Sequence, residues 1–141
     1  MMPNLAQPLV TILMVIGTAM LQLGVQVALQ RIKLPTSLTH ASIELQRIGL
    51  TVSAIVMLML GHLCQVSIWA LRYWTWGDVG DFTNSFYFSL ASFTTVGANE
   101  LDLSAAHRLT GAIEAALGML MFGWSTALLV AHIQRSERLR Q

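Results

Sequence analysis

Charge is scarce in this sequence. Charged residues make up only 11% of its 141 residues, whereas hydrophobic residues make up 55%. Because a soluble domain carries about 25% charged residues, this scarcity argues against one. The apolar residues gather in three runs that reach the length needed to cross a bilayer, about 20 residues each. The runs extend over residues 9–29, 48–71 and 109–133. The sequence therefore predicts an all-α membrane protein with three transmembrane helices.

Two further shortages exclude other classes. Residues 1–8 contain no lysine or arginine, although a secretory signal peptide begins with a basic segment. The first apolar run also exceeds the roughly 7–15 residues of a signal peptide, so we expect a retained helix. The four histidines are scattered, and the sequence has neither a phosphate loop nor a nucleophile beside a base. We therefore expect no enzyme activity, no cofactor and no protein-held metal cluster.

The basic residues are distributed unevenly about the three predicted spans. Six lie on one side, in the first loop and after the third span, and two lie on the other side with most of the acidic residues. This asymmetry predicts a multi-pass protein of the inner (plasma) membrane with its N-terminus outside and its C-terminus in the cytoplasm. We expect the basic tail to contact membrane lipids rather than nucleic acid. The six are Arg31, Lys33, Arg47, Arg135, Arg138 and Arg140, and the two are Arg72 and Arg108.

A shorter apolar segment, residues 82–93, separates the second and third spans. It is too short to cross a bilayer, so it is expected to be a buried or re-entrant helix. The residues that follow, Thr94-Thr95-Val96-Gly97, depart from a helical pattern. Irregular backbone at membrane depth is tolerated only where protein surrounds it or where it lines a water-filled path. The pattern predicts a pore helix followed by a pore-lining strand. Upstream, the aromatic cluster at residues 73–76 is expected to form an interfacial belt.

This order of segments resembles the pore domain of potassium channels, which has an outer helix, a pore helix, a Thr-Val-Gly-Tyr-Gly filter and an inner helix. The resemblance is closest to small bacterial members and covers about residues 48–133. It implies three divisions of the chain: an N-terminal helix and loop (1–47), a pore domain (48–133) and a basic tail (134–141). It also implies a homotetramer, because one chain supplies only a quarter of a filter.

In that family, backbone carbonyls replace the hydration shell of potassium. By resemblance, the monovalent cation would bind at the carbonyls of Thr95, Val96 and Gly97 and at the Thr95 hydroxyl, with Ala98 and Asn99 continuing the filter. Gly97 suits this position because glycine tolerates positive φ. The permeant species would be potassium or sodium ions, conducted passively.

The sequence departs from the family where Tyr-Gly-Asp is replaced by Ala98, Asn99 and Glu100. The family's tyrosine packs sideways and holds the outer filter open, which alanine cannot do. Three outcomes stay open: a weakly selective cation channel, a potassium filter preserved by other packing, or a collapsed pore. The last would make the chain a non-conducting structural or modulatory subunit.

Two ionisable residues inside the spans, His62 and Glu114, are candidates for filter support, as are Thr94 and Glu100 beside the filter. Ionisable residues are costly in a membrane, so they indicate function. Counting helical rise from the span ends places His62 and Glu114 at overlapping depths. We therefore hypothesise a His62–Glu114 contact behind the filter; the alternative is that each bonds separately. Gln65, one turn beyond His62, is a candidate to join this network or to face a neighbouring helix.

The third span also contains glycines, which usually allow close helix packing in membranes. By resemblance to the family, whose inner helix bends at a glycine, Gly118 and Gly123 are candidate gate hinges. Close packing is the alternative role for both residues.

Overall fold

The computed structural model describes residues 6–31, 40–98 and 100–138, with side chains for 7–31, 45–98 and 100–135. Its helices are α1 (Ala6–Arg31), α2 (His40–Trp76), α3 (Phe82–Phe93) and α4 (Arg108–Arg138). These ranges contain no strand. The all-α prediction is therefore confirmed, and α3 has the bounds expected of the short apolar segment.

Three of the helices are long and apolar enough to cross a membrane, over Gln7–Arg31, Leu45–Trp76 and Arg108–Arg135. These segments confirm the three predicted spans. In α1 only 17% of the most apolar stretch is buried by the rest of the chain, and in α4 only 22%. Since exposed apolar surface on this scale is unfavourable in water, these helices must contact lipid or other protein.

The second helix is longer than predicted, because it continues through the aromatic cluster to Trp76. It ends at Gly77, whose positive φ of 76° lets its N–H bond the carbonyls of Tyr73 (3.2 Å) and Trp74 (3.1 Å). Trp74 is half-exposed, as a residue of an interfacial belt would be, but Tyr73 is fully buried. The prediction that Tyr73 belongs to that belt is therefore wrong.

The short helix α3 lies between α2 and α4. Asp81 caps its N-terminus, since the Asp81 carboxylate accepts a hydrogen bond from the Asn84 backbone N–H at 2.8 Å. Phe88 and Phe93 on α3 pack into the main apolar core with Trp69 and Tyr73 of α2 and Leu117 of α4. This core fixes the direction in which the end of α3 points.

The first helix packs on α2 and α4 through a stripe that is largely polar. Its buried members are Thr11, Thr18, Gln22 and Leu29, spaced as one face of a helix. Thr18, for example, accepts a hydrogen bond from the Trp69 indole at 3.0 Å. Hydrogen bonds of this kind help to hold helices together in a membrane, where the hydrophobic effect does not.

Candidate functional site

The chain turns sharply where α3 ends. The Thr94 N–H and hydroxyl both donate to the Leu90 carbonyl, at 3.0 Å and 2.7 Å. The Thr95 N–H then bonds the Ser92 carbonyl at 2.9 Å, and the Gly97 N–H bonds the Ala91 carbonyl at 3.1 Å. Thr94 thus closes the helix, and the residues after it fold back over its C-terminal end.

Two positive φ angles shape this segment. Gly97 has φ of 83°, which costs glycine little, but Thr95 has φ of 61°. Positive φ in a β-branched residue is a genuine outlier that costs roughly 1–3 kcal/mol, and such outliers cluster at functional sites. Val96, between them, leaves 77% of its surface exposed. The backbone of this segment is thus held at a cost in stability.

The predicted continuation of the filter is only partly visible. Ala98 is partly buried and packs against the main core, and its carbonyl accepts a hydrogen bond from the Leu101 N–H at 3.0 Å. Asn99 lies outside the described residues. Glu100 is exposed. The small Ala98 side chain leaves the outer part of this segment without the large ring found there in the family.

Glu114 lies fully buried behind α3, at the meeting point of three helices. Its Oε2 accepts a hydrogen bond from the Tyr73 hydroxyl of α2 at 2.6 Å, and its Oε1 lies 2.5 Å from the Ser89 hydroxyl of α3. Ser89 Oγ is also 2.9 Å from the Val66 carbonyl. This network joins α2, α3 and α4 through buried polar side chains. No sequence signal distinguishes Ser89, because hydroxyl side chains are common on apolar helices.

The predicted contact between His62 and Glu114 is wrong, because each side chain belongs to a different network. His62 packs beside the Phe93 and Phe122 rings, with centroids at 5.7 Å and 4.9 Å, and those two rings also contact each other. Equal depth along two helices does not fix the angle about each helix axis. Here that angle turns Glu114 toward Tyr73 and turns His62 toward Ser125.

His62 takes part in a closed ring of four hydrogen bonds. The Gln22 amide donates to Ser125 Oγ at 2.9 Å, and Ser125 Oγ lies 3.0 Å from His62 Nε2. His62 Nδ1 lies 3.3 Å from Gln65 Oε1, and the Gln65 amide donates to Gln22 Oε1 at 3.0 Å. Since an amide oxygen only accepts, the imidazole proton lies on Nδ1, and Nε2 accepts from the Ser125 hydroxyl. Each member donates once and accepts once within the ring.

This ring connects all three membrane-spanning helices. Gln65 joins His62, which was one of its two predicted roles, whereas Gln22 and Ser125 were not predicted as site residues. A sequence signal for Gln22 exists, because an amide side chain within an apolar run requires a hydrogen-bond partner in the membrane.

Gly118 and Gly123, the two hinge candidates, have different surroundings. A Cβ on Gly118 would lie 2.0 Å from the Phe93 carbonyl oxygen, so only glycine allows α4 to pass this close to the end of α3. A Cβ on Gly123 would meet nothing within 4 Å. The helix continues through both positions. Gly118 thus has a packing role that the geometry explains, and Gly123 lies on an exposed face.

A polar cluster lies where the C-terminal end of α2 approaches the N-terminal end of α4. His107 Nδ1 hydrogen-bonds Asp78 Oδ2, and the His107 ring stacks on Trp76 with centroids 3.8 Å apart. Ser104 donates to Asp78 through its hydroxyl at 3.1 Å and its backbone N–H at 3.3 Å. Although partial burial raises the pKa of Asp78, these hydrogen bonds outweigh it and hold that pKa below its ordinary value. Gln7 of α1 reaches His107 Nε2 at 3.0 Å.

The chain has three apolar spans, and a short helix and a strained turn lie between the second and the third. This arrangement defines an integral membrane protein with a pore hairpin. A family model described as an ion channel matches residues 48–135. The chain therefore belongs to this ion-channel family, in which a pore module is built from two membrane-spanning helices and resembles that of potassium channels. The resemblance predicted from the sequence is confirmed. Neither a curated protein nor a solved structure matches the chain.

Proposed function

We propose that four copies of this chain surround a common axis and together conduct monovalent cations, potassium included. The observation that carries the proposal is the exposed, strained segment Thr95-Val96-Gly97 at the end of α3. Such backbone is not tolerated against lipid, so it requires either water or neighbouring protein. Four-fold assembly supplies both, because the neighbours surround the segment and an aqueous path runs along the axis.

The proposed ion sites are the carbonyls of Thr95, Val96 and Gly97 together with the Thr95 hydroxyl. Rings of carbonyls can replace the water shell of a cation as it enters. The positive φ angles of Thr95 and Gly97 support this role, because they reorient the backbone at alternate residues. Thr94 and Glu114 would support the sites by fixing the end and the back of α3, and Glu100 would line the outer mouth.

Ala98 is the reason for proposing weak selectivity. The Ala98 methyl group packs within its own chain and is too small to brace the outer filter against a neighbouring pore helix. Asn99 replaces a filter glycine at the next position. A wider outer mouth would coordinate ions less closely and admit sodium as well as potassium.

The exposed face of α4 supports the same assembly. This face carries Ala116, Leu120, Gly123 and Ala127, spaced alternately three and four residues apart. Small residues on such a face would let four helices converge while leaving space for water. We place a gate hinge at Gly123 rather than Gly118, because Gly118 is already occupied by packing against Phe93.

The uneven distribution of basic residues supports a plasma-membrane topology with the N-terminus outside. The filter loop would then face outward, and the basic ends of α1 and α4 would meet the cytoplasmic headgroups.

The proposal is tested with purified protein in liposomes. Native mass measurement should give four chains, and potassium and sodium uptake should both exceed that of empty liposomes. The double variant Ala98→Tyr with Asn99→Gly should reduce sodium uptake more than potassium uptake. A four-chain assembly without uptake would favour the alternative of a non-conducting modulatory subunit, whereas strong sodium exclusion by the wild type would contradict weak selectivity.

A further inference from the structure

A cavity of about 310 Å³ opens between the last turns of α1 and α4, far along both helices from the filter segment. Gln26, Leu29 and Gln30 line it from α1, and Leu128, Ala131, His132 and Arg135 line it from α4. Both membrane spans end here, at Arg31 and Arg135. The cavity thus lies at a membrane surface, and its volume is within the range of ligand sites, about 300–1,000 Å³.

The polar lining of the cavity consists of hydrogen-bond donors suited to an anion. Arg135 Nη1 reaches the Gln30 carbonyl at 3.4 Å, which holds the guanidinium across the cavity toward α1. Arginine has five N–H donors, so most of them stay free for a ligand. His132 Nε2 is buried and has no hydrogen-bond partner among the described residues. The lining includes no carboxylate within that part of the chain.

Gln26 adds a further oriented donor. Its Oε1 accepts a hydrogen bond from the Trp124 indole at 3.1 Å, so the group that Gln26 can offer to an anion is its amide N–H. Leu29 and Leu128 supply apolar surface beside this polar end. An arginine, a histidine and an amide next to leucines at a membrane surface combine the features that bind a charged headgroup and the start of its acyl chains.

We propose that this cavity binds a phosphate-bearing anion, supplied in the membrane by the headgroup of an anionic phospholipid. Arg135 would contact the phosphate oxygens, the Gln26 amide would donate a further hydrogen bond, and the leucines would contact the acyl chains. Because the bound lipid would touch both α1 and α4, it would fasten the first helix to the pore module. The proposal is independent of conduction, so its failure would leave the proposed pore function unaffected.

Trp124 makes the test direct, because its indole hydrogen-bonds the cavity residue Gln26. The full chain is placed in phosphatidylcholine bilayers that contain phosphatidylglycerol with brominated acyl chains, and tryptophan emission is compared with that in equally brominated phosphatidylcholine. The brominated phosphatidylglycerol should quench more, and the excess should saturate. Equal quenching by the two lipids would overturn the proposal.

Matched variants separate a built site from general surface charge. Arg135→Gln should weaken the apparent affinity for phosphatidylglycerol by about fivefold, the effect of removing one basic side chain at a membrane surface. Arg135→Lys should retain most of the binding, and Ala131→Phe, which fills the cavity but keeps its charges, should abolish the excess. Arg31→Gln removes the same charge from the end of α1, outside the lining, and should have little effect. Equal losses in Arg31→Gln and Arg135→Gln would mean diffuse attraction and overturn the site.

Inorganic phosphate distinguishes the two sources of the anion. If millimolar phosphate leaves the excess quenching unchanged, the lipid with its acyl chains is the ligand. If phosphate releases the quenching, the cavity is a free-phosphate site and the lipid assignment is wrong.

Discussion

The Tyr73 hydroxyl donates a hydrogen bond to Glu114 Oε2 at 2.6 Å, and both residues are fully buried. The bond joins the last turn of α2 to the second turn of α4. Through Ser89, the same carboxyl group also holds α3. These three side chains therefore hold α3 between α2 and α4 with polar contacts as well as apolar packing.

We expect Tyr73→Phe to destabilise the protein by about 1–2 kcal/mol, the contribution of a hydrogen bond between membrane helices in model systems. The ring and its packing are kept, so the loss reports the hydroxyl. Thermal unfolding in detergent measures the change. Tyr87→Phe is the control, because Tyr87 lies on α3 with more than half of its surface exposed. Equal effects of the two substitutions would contradict the role given to Glu114.

Because Gln22 makes two of the four hydrogen bonds in the ring, we expect Gln22→Leu to destabilise the folded protein strongly. This change removes a donor to Ser125 and an acceptor for Gln65, so the buried Gln65 N–H group and the buried Ser125 oxygen each lose a hydrogen bond, although Ser125 still bonds His62. A buried group left without a partner costs about 1–3 kcal/mol, so unfolding should become easier by more than 1 kcal/mol. Gln26→Leu, which breaks one partly buried bond to Trp124, should cost less. The same unfolding measurement ranks the two, and the reverse order would argue against the ring.

Gly118 and Gly123 form a matched pair on α4. Gly118→Ala places a methyl group against the Phe93 carbonyl and should cost about 1–3 kcal/mol, because α3 and α4 must move apart. Gly123→Ala meets open space and should leave stability unchanged or raise it by up to about 1 kcal/mol. If Gly123 is the hinge, its alanine variant should alter channel opening at normal stability. A stable Gly118→Ala protein would show that α3 and α4 are not held in this register.

We expect a pH effect on the loop between α3 and α4, because Ser104 and His107 of this loop bond the Asp78 carboxylate. Because hydrogen bonds from His107 and Ser104 lower its pKa below the ordinary 3.8, the loop is stabilised above that pH. The stabilisation is lost as the pH falls through the lowered pKa. The Ser104 backbone amide, which donates to Asp78, should therefore change its NMR chemical shift on strong acidification.

Asp78→Asn should abolish this transition of the Ser104 amide. Asp102→Asn, which changes an exposed carboxylate in the same loop, should preserve it. A transition that persists in Asp78→Asn would assign it to another group.

The elements of this fold could be predicted because membrane helices follow from apolar length alone. The short helix over residues 82–93 was evident for the same reason, since its apolar run is too short to span. The Thr-Val-Gly motif could be located because it follows that helix directly. These features depend on local sequence, and the structure places them as expected.

The side-chain partners could not be predicted, because they depend on how the helices are rotated about their axes. His62 and Glu114 lie at similar depths, yet they point into different networks. The aromatic neighbours of Tyr73 predict an interfacial position for it. Adjacent residues on a helix point about 100° apart, so Tyr73 is buried although Trp74 is exposed. Gly118 and Gly123 are equivalent in sequence, and only the position of Phe93 distinguishes them.

We propose above that the Thr95-Val96-Gly97 segments of four chains form a cation path. The most direct measurement is the reversal potential of the purified wild-type protein in a planar bilayer with potassium chloride on one side and sodium chloride on the other. We expect a cation current whose reversal potential has the sign of a preference for potassium but is small, because sodium also carries current. No current from an intact four-chain assembly, or a current carried by chloride, would contradict it.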